Sequence, residues 1–295
     1  MSHRIIVGID GRSGGRDALA AAEAIAVPDA VVELVCVYPY LAVFGRDAEA
    51  VFDVQARAAA EDVLAEAAAS AGRPVHTLAL RASSVARGLH QRADESDADL
   101  IVVGNPHRSL RRRVVTGDTC RALLHSAPCA IAMVPSGIAA LSPTAMRVTV
   151  GYDGRPESQE ALRAARDLAR RTDVPLHVVV AVSPPRPFAP GDAFLFDFDA
   201  VVEQGVRRAQ AVVDELGADV TGDVRVGAPI AVLADAARDS DVLVVGSRGY
   251  GAVRRVVLGS VSEAMVARAG CVVVVIPRTV DAVRPSAARA EEAIA

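Results

Sequence analysis

The chain has 295 residues, a formal net charge of −4 and 32 basic residues, all of which are arginine. The absence of lysine excludes a Walker A phosphate loop, whose lysine reaches the β- and γ-phosphates, and it excludes a lysine Schiff base. The acidic balance argues against general nucleic-acid binding, which depends on accumulated positive charge, and the length suggests about two domains.

The sequence contains no pattern typical of membrane insertion, secretion or metal binding. No apolar run approaches the roughly 18 residues of a membrane span, and the N-terminus becomes strand-like too early for a signal peptide. The four cysteines form no C-x-x-C pair and the six histidines lack metal-ligand spacing, so we expect no metal site. We predict a cytoplasmic protein with buried, reduced thiols that binds neither a membrane nor nucleic acid.

Near the N-terminus an apolar strand leads into a glycine turn and a helix, and this arrangement returns later in the chain. Residues 7–26 and residues 150–169 share ten of twenty positions, and residues 126–135 again resemble residues 268–277. Internal similarity on this scale indicates two copies of one domain. The predicted extents are 1–137 for the first domain, 146–278 for the second domain and 279–295 for a loose C-terminal tail.

Between these similar segments each copy alternates apolar runs with helical patterns, most clearly in the second copy. There the predicted strands are 147–152, 176–182, 220–226, 241–246 and 271–276, and the predicted helices are 157–171, 199–216, 229–239 and 260–269. Nearly continuous Val, Ile and Leu are expected in strands whose sheet has helices on both faces, and the alternation indicates right-handed βαβ units. The predicted fold class is α/β, with two doubly wound, flavodoxin- or Rossmann-like domains, each a five-stranded parallel sheet.

The last strand of each copy lies at a predicted sheet edge. These strands, 129–134 and 271–276, are apolar, and an uncovered apolar edge invites pairing with another strand. We expect the two strands to pair with each other and so to join the two domains within one chain. A homodimer of chains is left open as a further form of assembly.

The turn after the fourth strand of the second copy has an unusual glycine pattern, G-S-R-G-Y-G-A-V-R-R-V-V-L-G-S. Glycine permits positive φ and leaves backbone N–H groups uncovered, and a helix N-terminus favours a bound anion. The residues concerned are Gly246, Gly249, Gly259, Ser260 and Ser262, with Arg248, Arg254 and Arg255 as sources of positive charge. The alternative is a flexible glycine loop in which Ser260 is an ordinary N-cap.

Two further turns of the second copy point to the same edge of the sheet. Asp153 follows its first strand, and Gly227 follows its third strand. In a flavodoxin-like order the turns after the first and fourth strands face each other, and doubly wound folds bind ligands where the strand order reverses. Asp153 is then available to a ribose, an adenine or a metal, whereas the alternative is an Asx turn in which it bonds its own backbone.

The pattern G-x-x-G-(nine residues)-G-S after the fourth strand, with a first strand that ends at Asp, resembles the universal stress protein family. The two copies resemble its tandem members, and the similarity covers residues 3–278. The resemblance implies ATP or a related adenine nucleotide, with Mg²⁺ left open, and a regulatory stress-response role with at most slow hydrolysis. The resemblance implies that Asp153 and Val182 contact the nucleotide and that Gly246, Gly249, Gly259, Ser260 and Val261 hold its ribose and phosphates. Together with the turns described above, the nucleotide-binding residues predicted in the second domain are Asp153, Gly154, Val182, Gly227, Gly246, Arg248, Gly249, Arg255, Gly259, Ser260, Val261 and Ser262.

The first copy departs from this family pattern. His107 stands where the middle glycine is expected, and Asp118 stands where the serine is expected. A carboxylate at a helix start caps the free N–H groups and repels a phosphate, so we expect the first domain to bind weakly, in another mode or not at all. The corresponding positions there are Asp10, Gly11, Val37, Gly104, Gly117 and Thr119.

Two other functions remain as alternatives. Ser13, Gly14 and Gly15 resemble the S-G-G-x-D-S loop of ATP pyrophosphatases, although Ala18 interrupts the motif, so an ATP-using enzyme that works through this loop is one alternative. The same stretch fits the hydrolase nucleophile elbow, but an elbow on the first strand is out of order. The other alternative is an interaction protein whose pockets bind no nucleotide. We assign no catalytic residue.

Overall fold

The computed structural model describes residues 4–39, 46–105, 118–125, 127–138, 141, 146–185, 197–247 and 259–277, without the side chains of residues 46–50 and 118. The predicted C-terminal tail and five predicted site residues lie outside the described residues; these five are Gly117, Arg248, Gly249, Arg254 and Arg255.

Both halves of the chain alternate strands and helices. The elements of the first half are β1 (Arg4–Gly8), α1 (Ser13–Ile25), β2 (Val31–Pro39), α2 (Arg46–Ser70), β3 (His76–Ala82), α3 (Val85–Glu95), β4 (Leu100–Asn105), α4 (Asp118–Leu124) and β5 (Ala130–Pro135). Those of the second half are β6 (Val148–Tyr152), α5 (Pro156–Thr172), β7 (Leu176–Val182), α6 (Phe198–Glu215), β8 (Val220–Val226), α7 (Pro229–Ala236), β9 (Val242–Gly246), α8 (Ser260–Arg268) and β10 (Val272–Ile276). The predicted elements of the second half are confirmed to within one residue, except that a 3₁₀ turn forms the last three residues of the predicted helix 229–239.

Helix α5 shows how the sequence sets these boundaries. It begins at Pro156, where the missing N–H has no helical partner to lose, and it ends at Thr172, followed by the C-cap residue Asp173 with a left-handed φ of 53°. Its buried residues, which include Ala161, Leu162 and Ala165, recur at helical spacing and face the sheet.

The strands form one ten-stranded sheet in the order β3-β2-β1-β4-β5-β10-β9-β6-β7-β8. Within each half the strands are parallel and follow the Rossmann order 3-2-1-4-5, so the first and fourth strands are neighbours where the order reverses. Strands β5 and β10 pair antiparallel, with Val274 opposite Ala132. We term this contact the seam. The predicted doubly wound α/β fold is confirmed.

Two hydrophobic clusters lie on opposite faces of the sheet. One contains buried residues of α1, α2, α5 and α6, and the other contains buried residues of α3, α4, α7 and α8. Each cluster draws residues from both halves, so the core is continuous across the seam. Of the described helices, none is both long enough and apolar enough to cross a membrane.

Candidate functional site

A crevice of about 520 Å³ opens at the carboxyl ends of β6 and β9. These strands are neighbours, and the crevice lies where doubly wound sheets bind ligands. Its volume falls in the range of roughly 300–1,000 Å³ that is typical of small-molecule sites. We term it the second-domain crevice. The lining residues are Gly151, Tyr152, Asp153, Arg155, Glu157, Ser158, Val179, Ala181, Ser183, Pro229, Leu233, Val245, Gly246, Ser247, Gly259, Val261 and Ser262.

The structure brings some of the predicted site residues together in this crevice. Those in the lining are Asp153, Gly246, Gly259, Val261 and Ser262. Others are described but do not line it, namely Gly154, Val182, Gly227 and Ser260. The convergence of the turns after the first and fourth strands, which the prediction depended on, is present.

Asp153 occupies the turn after β6 and uses its two carboxylate oxygens differently. Its Oδ1 accepts a hydrogen bond from the N–H of Arg155 at 3.1 Å, which is the Asx turn given above as the alternative. Its Oδ2 lies 3.7 Å from Nε of Arg155, and both side chains are more than half exposed. An exposed ion pair of this kind contributes only about 0–1 kcal/mol, so Oδ2 remains available to a ligand.

Gly246 is needed for close packing and not for a positive φ. It is absent from the residues with positive φ, so that part of the expected role is wrong. A Cβ at this position would clash with the carbonyl oxygen of Glu157 in the first turn of α5. The glycine therefore lets α5 approach the end of β9, and this approach brings the turns after β6 and β9 together.

The N-terminus of α8 opens into the crevice without a side-chain cap. Gly259 is the N-cap residue, with φ −77° and ψ 155°, and it supplies no side-chain hydrogen bond. The first N–H groups of a helix have no partner inside the helix, and together with the helix dipole they favour an anion. Glu263 also lies in the first turn, 3.5 Å from Arg121 of α4.

Ser262 fixes the start of α8 to the end of β9. Its hydroxyl donates to the carbonyl oxygen of Gly246 at 2.9 Å. We expected this hydroxyl to donate to a phosphate, but its hydrogen is already used within the protein. Ser262 therefore positions the helix, and its backbone N–H is the group that remains for an anion.

Ser247 is a site residue that the sequence reasoning missed. It is 1% exposed and lines the crevice, and its hydroxyl has no hydrogen-bond partner in the described part of the chain. A buried hydroxyl without a partner costs about 1–3 kcal/mol, and a ligand oxygen would provide the partner. The only sequence signal for Ser247 was its position directly after the predicted site residue Gly246.

The apolar wall of the crevice comes from β7 and α7. Val179 and Ala181 line it together with Leu233. Side chains alternate along a strand, so the side chain of Val182 faces the other way, and its Cγ1 would lie 2.9 Å from a Cβ at Gly205 of α6. Its carbonyl accepts the N–H of Gly227 at 2.9 Å. The period-two rule identifies Ala181 and not Val182 as the lining side chain.

The first half repeats the backbone of this arrangement. Oδ1 of Asp10 accepts the N–H of Arg12 at 3.0 Å, and Gly11 has a φ of 71°. A Cβ at Gly104 would clash with the carbonyl oxygen of Gly14 in α1, so the S-G-G stretch serves close packing. The two remaining described positions are Val37, which packs against Gly88 of α3, and Thr119, which is exposed in the first turn of α4.

Asn105 directly follows Gly104, as Ser247 directly follows Gly246, but the Asn105 side chain has a hydrogen-bond partner in each domain. It is 5% exposed, and its Nδ2 donates to the carbonyl oxygen of Val266 in the last turn of α8 at 2.9 Å. The Cys120 thiol, whose pKa is raised to about 11 by burial, donates to Oδ1 at 3.8 Å. Asn105 thus caps a carbonyl group that a helix C-terminus leaves without a helical partner.

Comparisons with known proteins show the family of this chain. The model of the universal stress protein family matches residues 1–135 and, a second time, residues 145–277. Universal stress proteins from Mycobacterium tuberculosis and Mycobacterium bovis are 30% identical over 202 residues, which cover 66% of this chain and 69% of each relative.

Two solved structures share the fold over nearly the whole chain. A universal stress protein from Archaeoglobus fulgidus has 19% sequence identity and a TM-score of 0.69, and the match covers 95% of this chain and 100% of that chain. A protein from Pseudomonas aeruginosa has 19% identity and a TM-score of 0.59, with 94% of each chain covered.

Proposed function

This chain belongs to the universal stress protein family as a tandem, two-domain member, and we propose that it binds ATP or a related adenine nucleotide in the second-domain crevice. It then acts in the stress response through its nucleotide-bound state. The observation that carries the proposal is the N-terminus of α8, which opens into this crevice beside the Ser247 hydroxyl; among the described residues, no side chain caps this helix start and none bonds that hydroxyl.

Each part of a nucleotide has a matching group in the crevice. The phosphates are proposed to accept hydrogen bonds from the first N–H groups of α8 and from Ser247. The adenine is proposed to pack on the wall formed by Ala181 and Leu233, and Oδ2 of Asp153 is proposed to accept a ribose hydroxyl. Mg²⁺ is commonly held through carboxylates and substrate phosphates, so Mg·ATP is the form to test first.

The same arrangement supports holding a nucleotide more than cleaving it. The sequence has no lysine to direct at the γ-phosphate, and positioned charge of that kind drives phosphoryl transfer. We therefore propose at most slow hydrolysis, and weak binding or none in the first domain. A cytoplasmic location, the paired domains as the functional unit and a homodimer of chains complete the proposal.

The proposal is tested by removing one backbone donor at the start of α8. Proline is tolerated at the first helical position, and Gly259 already has the extended backbone that proline requires of the preceding residue. Ser260→Pro removes one N–H group and one hydroxyl. We expect a roughly ten- to hundredfold loss of ATP affinity, because hydrogen bonds to charged groups contribute about 1.5–3 kcal/mol. Isothermal titration calorimetry measures it.

Two matched variants separate the possible causes. Ser260→Ala removes only the hydroxyl and should retain most of the affinity. Ser13→Pro makes the same change at the first position of α1, where Arg12 is also extended, and should leave ATP binding unchanged. Unchanged binding by Ser260→Pro would refute the site. Pyrophosphate release that disappears in Ser13→Pro would favour the enzyme alternative.

A further inference from the structure

The seam between β5 and β10 has a covered groove beside the end of β5. The linker between the two domains, residues 136–145, follows β5 there, and its Ile138 and Leu141 pack against the core cluster on the face of α1 and α5. The N–H of Gly137 donates to a carboxylate oxygen of Asp17 in α1 at 2.9 Å. The linker thus closes this groove with two apolar side chains.

A second groove lies at the opposite end of the seam, beside the end of β10. It is a cavity of about 200 Å³ between the C-terminal parts of α1 and α5. The internal repeat relates its residues to those of the covered groove, at an offset of 143 positions in the helices and 142 in the later strands. The two grooves are therefore counterparts on either side of the seam.

Residues of the second groove are more exposed than their counterparts. Three groove residues are half-buried, whereas the matching residues are at most 1% exposed. The pairs are Ala164 and Ala21, Leu100 and Val242, and Ile276 and Val134. Both members of each pair are apolar, so the difference in exposure does not come from side-chain polarity. Among the described residues, nothing covers the second groove as the linker covers the first.

The segment after β10 resembles in sequence the linker segment that covers the first groove. The linker reads P-S-G-I-A-A-L-S-P at 135–143, and the segment after β10 reads P-R-T-V-D-A-V-R-P at 277–285. At the constant offset of 142, both prolines and one alanine are identical, and Val280 and Val283 stand where the linker has Ile138 and Leu141. Strand β10 ends at Ile276, which lines the second groove, so the last described residues before this segment lie at that groove.

We propose that the second groove is the docking site of the chain's own segment 278–285, with the side chains of Val280 and Val283 seated in it. Residues 278–295 lie outside the described residues, so the proposal depends on the repeat and on the open groove. A docked segment closes the seam on its second side and clamps the two domains together. This inference is independent of nucleotide binding.

Thiol labelling of the full-length chain tests the proposal. Ala164→Cys places a thiol in the groove, while the four native cysteines are buried and have raised pKa values, with those of Cys129 and Cys271 at about 12. In this background Val280→Asp with Val283→Asp should speed labelling of the new thiol at least about tenfold, because burial of each valine favours docking by roughly ten- to hundredfold.

Two controls make the outcome specific. Ala287→Asp with Ala288→Asp adds the same charge beyond the repeated segment and should leave the labelling rate unchanged. Ala21→Cys reports on the covered groove and should label slowly in every background. Equal rates for Ala164→Cys with and without the valine changes would overturn the proposal, as would faster labelling of Ala21→Cys, which signals general loosening. Protection that rises with protein concentration would identify a second copy as the occupant and equally overturn it.

Discussion

The two halves of the chain build the same backbone at the ends of their first and fourth strands and complete it differently. Asp10 and Asp153 form equivalent Asx turns, and the glycine after each fourth strand admits a helix. The next residue, however, is Asn105 in the first half, where it bonds the other domain, and Ser247 in the second half, where its hydroxyl has no partner in the described residues. A duplicated position can therefore serve either domain packing or a ligand.

The largest loss of stability is expected from substitution of the glycine at the end of the fourth strand in each half. Gly104→Ala and Gly246→Ala each force a Cβ against a backbone carbonyl of the adjacent helix. Each change should lower the free energy of unfolding by about 3 kcal/mol, measured by urea denaturation. Gly270→Ala, at a site with open space and no positive φ, is the control and should be nearly neutral. A large effect at only one of the two glycines would contradict the shared backbone.

The next effect concerns the residue that distinguishes the halves. Asn105→Ala leaves the Val266 carbonyl oxygen without its donor and should cost about 1–3 kcal/mol of stability. Ser247→Ala removes a hydroxyl that has no partner among the described residues, so nucleotide-free protein should be unchanged or more stable by up to about 1 kcal/mol. Thermal unfolding without nucleotide measures both. Comparable destabilisation by the two variants would show that the positions are equivalent after all.

A smaller change tests the charge at the two helix starts. Ser260→Asp gives α8 the residue that α4 has, and at the first helical position its carboxylate should interact with the positive end of the helix dipole and repel phosphate. ATP affinity should fall by about tenfold, as measured by calorimetry, while Ser260→Asn adds a side chain of similar size without the charge and should lose less. The reciprocal variant, Asp118→Ser with His107→Gly, should raise the stoichiometry above one nucleotide per chain. An unchanged stoichiometry would mean that other differences disable the first domain.

The smallest effect is a pH dependence confined to the first half. His90 of α3 bonds the carbonyl oxygen of Leu123 through Nε2 at 2.8 Å, and burial lowers its pKa. A lowered pKa means that the unfolded chain binds the proton more tightly, so the contribution of His90 is complete above about pH 6.5 and is lost as the pH falls below it. Unfolding of His90→Gln at pH 7.5 and 5.5 should show a weaker pH dependence than the parent chain. An identical dependence would exclude His90 as the cause.

The alternation of the sequence was sufficient to predict the sheet and its helices, because period and turn residues are local signals. Helix α5, expected at 157–171, spans Pro156–Thr172, and the crevice lies between the expected turns. Side-chain direction within the site was less accessible. Val182 was selected although the period of two places Ala181 in the crevice, and the hydroxyl of Ser262 was expected to face a phosphate although Gly246 accepts its hydrogen.

The role of Asn105 could not be predicted, because its partner is 161 positions away in the other domain. The role of Gly246 could not be predicted for the same reason, because a glycine is required there by the close approach of α5 and not by its backbone angles. Contacts of this kind depend on how two helices and a strand meet in space, which no local pattern records. The roles of Gly249, Arg248 and Arg255 stay predictions.

The antiparallel pairing of β5 and β10 determines how a binding partner can contact the two crevices. Each half has parallel strands, so the carboxyl ends of the two halves lie at opposite rims of the continuous sheet. The two crevice positions therefore look out in opposite directions. A flat receptor surface meets one of them at a time, and only a partner that wraps around the sheet senses both. Energetic coupling between the two crevices therefore depends on contacts inside the protein, such as the hydrogen bond between Asn105 and α8.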